Sequence, residues 1–162
     1  MSAGYYDVAQ ICLNGHVVND STRGSPQHNQ DFCDKCGAAT ITECPNCKDS
    51  IQGYYVSDVL VLPPPRTPAP SFCKHCGKSF PWTQSKLEAA RELTQELDDL
   101  TAEEKMELKK SIDDIVMDSP RTTLGATRFK KIMVKVGKEG ATALKNILVD
   151  IVSEAAKKMI WP

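Results

Sequence analysis

The sequence predicts an α+β protein in two parts: small N-terminal tandem zinc ribbons made of short β-hairpins and knuckles, then an all-α helical module of about four helices. Three observations carry that prediction. All seven cysteines and most of the prolines lie in the first 83 of 162 residues. The cysteines and one histidine form four close pairs, Cys12/His16, Cys33/Cys36, Cys44/Cys47 and Cys73/Cys76. Apolar residues at a 3.6-residue period are concentrated in the remainder. The expected division is 1–83 for the tandem zinc-ribbon region and 84–162 for the helical module, with the boundary near Trp82.

Eight soft or borderline donors are the number that closes two tetrahedral zinc sites, with none left over. Phe-Cys-x-x-Cys-Gly occurs twice, as Phe32 to Gly37 and as Phe72 to Gly77. Glycine suits the end of such a knuckle because the backbone must turn back there through positive φ. A ligand pair precedes each copy, so the economical reading is two ribbons in series. Site one is then Cys12, His16, Cys33 and Cys36, and site two Cys44, Cys47, Cys73 and Cys76. Two other partitions remain open. A nested one joins Cys33/Cys36 to Cys44/Cys47, and an interleaved one resembles a cross-braced RING. His16 follows Gly15 and could be a turn residue, but it supplies the missing eighth ligand at a plausible reach. His28 or His75 would replace it otherwise.

Filled sites leave no position for an activated water, so two structural Zn²⁺ per chain are expected. A rubredoxin-like iron is the rival metal for four thiolates. A thioredoxin-like redox pair fits less well, because no βαβ pattern surrounds any Cys-x-x-Cys. The N-terminal residues lack the basic start and apolar run of a secretory signal. A reducing, cytoplasmic location is therefore expected, and no segment reads as a membrane span.

Within the first part, Gly53 to Val56 and Asp58 to Leu62 are aromatic and β-branched and read as strands. Leu62 to Pro70 then reads as polyproline II, a stiff loop between ligand pairs. Its Pro65 to Pro68 element offers docking to a partner as the alternative.

In the second part, Ser85 to Leu100 places Leu87, Ala90, Leu93, Leu97 and Leu100 on one helical face. Thr101 opens the next helix with a capping box closed by Glu104, and Met106, Leu108, Ile112, Ile115 and Val116 form its buried side. A third helix is expected over residues 122–136, with Gly137 at its close. The fourth runs over residues 140–160, with Ala141, Leu144, Ile147, Leu148, Ile151, Val152, Ala155 and Met159 inward.

Charge sorts the possible partners. The chain carries 20 basic and 21 acidic residues, and two Zn²⁺ with seven thiolates would move its formal −1 to about −4. A globally basic nucleic-acid binder is not indicated. The balance is uneven, however: residues 84–119 hold five basic and eleven acidic side chains, and residues 120–162 nine and three. The two helix pairs can attract one another within one molecule or across a homo-oligomer. Arg121, Arg128, Lys130, Lys131, Lys135 and Lys138 form a basic cluster that could neutralise phosphates. Aromatic interleaving for base stacking is thin, with only Phe129 nearby.

Ile11 to His16, the two Phe-Cys-x-x-Cys-Gly knuckles, Cys44 to Cys47, Phe80-Pro81-Trp82 and the helical tail ending near Val152 to Lys158 together resemble a bacterial family of uncharacterised zinc-ribbon proteins, a domain of unknown function. The resemblance spans nearly the whole chain and implies no activity. No nucleophile with a base, open metal position or phosphate-cradling glycine loop is evident, so no catalytic residue is expected. The reading is a non-enzymatic zinc protein that binds a protein partner as an adaptor. The alternative is a nucleic-acid-binding regulatory factor using the ribbons and the basic helix around 121–138.

Overall fold

Where the ligand pairs fall close together, the chain between them folds as tight loops, leaving only short stretches free to form strands. The computed structural model describes residues 3–59 and 66–162. The chain divides into two compact units, residues 1–84 and 85–162. In the first, β1 (Tyr5–Val8) pairs antiparallel with β5 (Gln52–Val56), with Tyr6 opposite Tyr55 and a bulge between Tyr6 and Val8. β2 (Gln10–Cys12) is the centre of a three-stranded antiparallel sheet, between β3 (Val17–Asn19) and β4 (Thr40–Ile41). Ile11 stands opposite both Val17 and Ile41, so one central residue is packed from both sides.

Ile11 belongs to an apolar cluster with Ala9, Ile51, Phe80, Trp82 and the thiol-bearing Cys44 and Cys73. Phe80 and Trp82 stack with ring centroids 4.6 Å apart, and the Trp82 indole N–H donates to the Pro70 carbonyl at 2.8 Å. The core is thus closed partly by ligand side chains, as expected where too few apolar residues are available.

The strand expected over 53–56 is β5, which pairs with the N-terminal β1. Ser57, Asp58 and Val59 are not strand. Leu60 to Leu62, and Pro63 to Pro65 of the proline-rich segment with its Pro65 to Pro68 element, lie outside the described residues.

The second unit is helical. α1 (Pro81–Gln95) starts in the first unit and continues into the second, α2 spans Ala102–Val116, α3 Thr122–Met133, α4 Lys138–Leu148 and α5 Glu154–Ile160. α1 begins four residues earlier than its apolar period suggests, because Pro81 is suited to a helix's first turn, where its missing N–H costs nothing. It also stops at Gln95, before Leu97 and Leu100, which are buried from the turn that follows. The Thr101 capping box is present: the Thr101 hydroxyl accepts from the Glu104 N–H at 3.2 Å, and the Glu104 carboxylate accepts from the Thr101 N–H at 3.0 Å. Leu108, Ile112, Ile115 and Val116 are buried, whereas Met106 is 72 % exposed and not part of that face.

α2 and α3 pack closely. A Cβ on Gly125 would lie 2.6 Å from the Asp114 Cβ. α3 ends at Met133, and Gly137 is the N-cap of α4, with a φ of −58, rather than a left-handed close to α3. The single helix expected over 140–160 is two helices. The Ser153 hydroxyl accepts from the Ala156 N–H at 3.3 Å, and the Ser153 N–H donates to the Ile115 carbonyl at 3.0 Å. That cap restarts the helix out of phase, so Ala156 is buried where Ala155 was expected. Among the described residues, no helix is long and apolar enough to cross a membrane.

Candidate metal centre

The local fold of the ligands is one motif made three times. In each copy the first cysteine's N–H donates to the carbonyl five residues on: Cys33 to Ala38, Cys44 to Asp49 and Cys73 to Lys78, all at 2.8 Å. The N–H four residues after each cysteine donates back to that cysteine's carbonyl, at 2.8, 2.9 and 2.8 Å from Gly37, Lys48 and Gly77. An isolated β-bridge flanks each copy, Phe32 to Ala39, Glu43 to Ser50 and Phe72 to Ser79. Gly37 and Gly77 have φ of +72 and +74, and a Cβ at either would meet nothing within 4 Å. Backbone conformation rather than space therefore calls for glycine there. Lys48 holds the same turn at φ 66 without being glycine.

Cys12 and His16 are presented differently, from the end of β2. The Cys12 N–H donates to the His16 carbonyl at 3.0 Å, and the Gly15 N–H to the Cys12 carbonyl at 2.8 Å. Gly15 sits at φ +90, and a Cβ on it would lie 3.0 Å from the Trp82 Cβ. This loop is pressed onto the core.

These loops bring the donors together as two tetrads, Cys12, His16, Cys33 and Cys36, and Cys44, Cys47, Cys73 and Cys76. In each, one ligand atom per residue lies within 4.8 Å of all the others. This is the serial partition rather than the nested or interleaved one. Zinc–thiolate bonds of about 2.3 Å in a tetrahedron imply sulfur–sulfur edges of about 3.8 Å, and mixed sulfur–imidazole edges of about 3.5 Å. The sulfur pairs Cys12–Cys36, Cys44–Cys76 and Cys47–Cys73 are 3.7, 3.8 and 3.7 Å apart. His16 Nδ1 is 3.5 Å from Cys12 Sγ and 3.6 Å from Cys33 Sγ. Both tetrads therefore have the dimensions and donors to hold a metal ion, and His16 would bind through Nδ1.

Backbone amides supply further contacts to the sulfurs. His16 N–H donates to Cys12 Sγ at 3.3 Å, and His75 N–H to Cys73 Sγ at 3.4 Å. The Ala38 amide and the Asn14 side chain hold the Cys36 thiol down at about 6. The Lys78 amide and the Asn46 side chain do the same for Cys76, also to about 6. Around Cys47 the Asp49 amide favours the thiolate, but burial and the sulfurs of Cys73, Cys44 and Cys76 push the thiol up to about 12. Burial likewise raises Cys12. Sulfurs this close oppose one another's ionisation, and a dication removes that conflict by stabilising all the thiolates together.

Asn14 and Asn46 were not among the residues expected from sequence. Each stands two positions after the first ligand of its tetrad, and that shared offset is the signal that could have found them. His28 ends a short 3₁₀ turn (Pro26–His28) and is exposed, and the His75 side chain is outside both tetrads.

The six basic residues expected to act as one cluster divide into two groups. Arg121 pairs with Asp114 through Nε at 2.9 Å, Arg128 with Glu107 at 3.7 Å, and Lys135 with Glu104. These pairs form a ladder between α3 with its flanking residues on one side and α2 on the other. Lys130, Lys131 and Lys138 make no ion pair among the described residues.

Residues 5–160 match the model of a family described as an uncharacterized protein conserved in bacteria (DUF2321). Neither the curated proteins nor the solved structures contain a match to this chain.

Proposed function

The chain belongs to that family of uncharacterised bacterial proteins, and from this premise we propose that it is a non-enzymatic zinc protein whose two metal-built folds serve as an adaptor for a protein partner. The observation that carries the reading is closure. Four protein atoms meet at tetrahedral spacing in each tetrad, so a bound zinc keeps no place for water or substrate. The imidazole in the first tetrad favours zinc over a four-thiolate iron site. Paired thiolates are suited to the reducing cytoplasm, where we place the protein.

The adaptor role draws on the surface of the first unit. Tyr5, Tyr6, Tyr55 and Phe32 are exposed, the last by 65 %, and exposed aromatic side chains are the kind that protein interfaces favour. Against a nucleic-acid role, Arg121, Arg128 and Lys135 are engaged with acidic partners on α2. Of the six basic residues around α3, that leaves Lys130, Lys131 and Lys138 for phosphates.

Metal analysis tests the zinc reading: the purified protein should be colourless and hold two zinc ions per chain. A red iron protein, or one metal per chain, overturns it. Titration with RNA and DNA tests the partner class. The adaptor reading expects no salt-sensitive binding at physiological salt. Submicromolar binding with a log–log salt slope of about −3, abolished by reversing Lys130, Lys131 and Lys138 to Glu without unfolding, would replace the adaptor by the nucleic-acid factor. Affinity capture from the native cell, with and without nuclease, identifies the partner.

A further inference from the structure

The two tetrads are alike in size but not in setting. All four ligands of the second either belong to the apolar cluster, as Cys44 and Cys73 do, or pack against it, as Cys47 and Cys76 do. No ligand of the first is in that cluster. The open ligands differ as well: Cys36 is exposed, whereas Cys47 and Cys76 are only partly so. Emptying the second site would take four ligands from the core around Ile51, Phe80 and Trp82, whereas the first meets that core through the Gly15 loop against Trp82.

We propose that the first site releases its zinc to two-electron oxidants such as peroxides while the second retains its own, making the protein a reversible oxidant-gated zinc switch. This rests on the zinc reading above. The reacting atom is Cys36 Sγ, because oxidation of a ligand thiolate follows its exposure, and Cys36 is the exposed ligand. The thiolate attacks one peroxide oxygen, forming the Cys36 sulfenic acid and releasing hydroxide. A second thiolate of the same site then attacks the oxidised sulfur and expels another hydroxide. Cys12 Sγ stands 3.7 Å away, and Cys33 Sγ is within 4.8 Å. Each cysteine sulfur loses one electron, the peroxide gains two, and the hydroxides take up two protons as water. Zinc left with His16 and one thiolate is no longer held. A dithiol reductant reverses the disulfide and restores the site.

The test uses the full-length protein carrying two zinc ions, treated with hydrogen peroxide in the presence of a chromogenic zinc indicator. One zinc equivalent should appear about tenfold faster than the second, or sooner still. Peptide mapping at that point should find Cys36 in a disulfide with Cys12 or Cys33, and Cys44, Cys47, Cys73 and Cys76 still as thiols. Release of both equivalents together, earlier oxidation of the second set, release with Cys36 still a thiol, or no release overturns the proposal. Protein that holds fewer than two zinc ions before oxidation overturns the structural-zinc reading instead.

Discussion

Asp7 is a carboxylate only 1 % exposed, and it ties β1 to the loop that follows β3. Its Oδ1 accepts from the Val8 N–H at 2.6 Å and the Arg23 N–H at 3.1 Å, and its Oδ2 from the Ser21 hydroxyl at 2.7 Å and the Gly24 N–H at 3.0 Å. Burial pushes the Asp7 carboxyl up, but the Ser21 hydroxyl and the Val8, Gly24 and Arg23 amides outweigh it and hold the group below the usual carboxylate range. Its folded value is thus depressed. The stabilisation is fully present above the unfolded value of about 3.9 and is lost as pH falls through the folded one. Asp7→Asn keeps the shape but turns an NH₂ toward N–H and O–H donors. It should cost about 1–3 kcal/mol in denaturant unfolding of the first unit at pH 7. An unchanged midpoint would mean that this network contributes nothing. Such a residue could not be read from the sequence, because three of its four partners come from a distant loop, two of them as backbone amides. The two tetrads were legible, the seven cysteines from their paired spacing and His16 because it completes the count of eight. Lys48 lies between these cases. Its knuckle repeats the others, but the glycine that marks them is absent, and positive φ at a lysine has no local signal.

Among elements, the α4–α5 break shows where periodicity misleads. Ile147, Leu148, Ile151 and Val152 continue an apolar period across it, and neither Gly nor Pro marks it. The restart depends on one hydroxyl, that of Ser153. Ser153→Ala separates the two arrangements by sign. Removing an N-cap should destabilise the helical unit by about 0.5–2 kcal/mol, whereas alanine inside a continuous helix would stabilise it by a few tenths. Thermal unfolding followed by helical circular dichroism should show a lower midpoint for the variant, and a raised one would sink the capped break. The β1–β5 pair was hidden for a different reason. Tyr5 to Val8 is too short to show alternation, and its partner lies more than forty residues away. α1, α2 and the capping box were legible because their signals are local.

At the scale of the whole molecule, each unit carries its own tryptophan. Trp82 lies in the core of the first, and Trp161 in the second, edge-on to Phe129 with ring centroids 6.1 Å apart. Structural zinc contributes on the order of 10–16 kcal/mol in small finger peptides, so on the proposed zinc reading a strong chelator should unfold the first unit. Trp82 emission should shift to the red while most helical circular dichroism persists, and Trp82→Phe should abolish the shift. Complete loss of helix on chelation would mean that the second unit cannot stand without the metal. The change in composition along the chain was legible from where the cysteines stop. That Trp82 would serve the first core was not, because its partners come from β2, Ile51 and the last knuckle. The serial pairing of ligands also sets an order in time. All donors of the first tetrad have been synthesised once Cys36 is in the chain, but the second must wait for Cys76, forty residues later. At bacterial elongation rates that interval is about 2–8 s. During it the nascent chain has one complete set of metal ligands and two spare thiols, Cys44 and Cys47, able to compete for the same ion. Metal supply during translation, rather than the affinity of the finished protein, would then decide which thiols meet metal first.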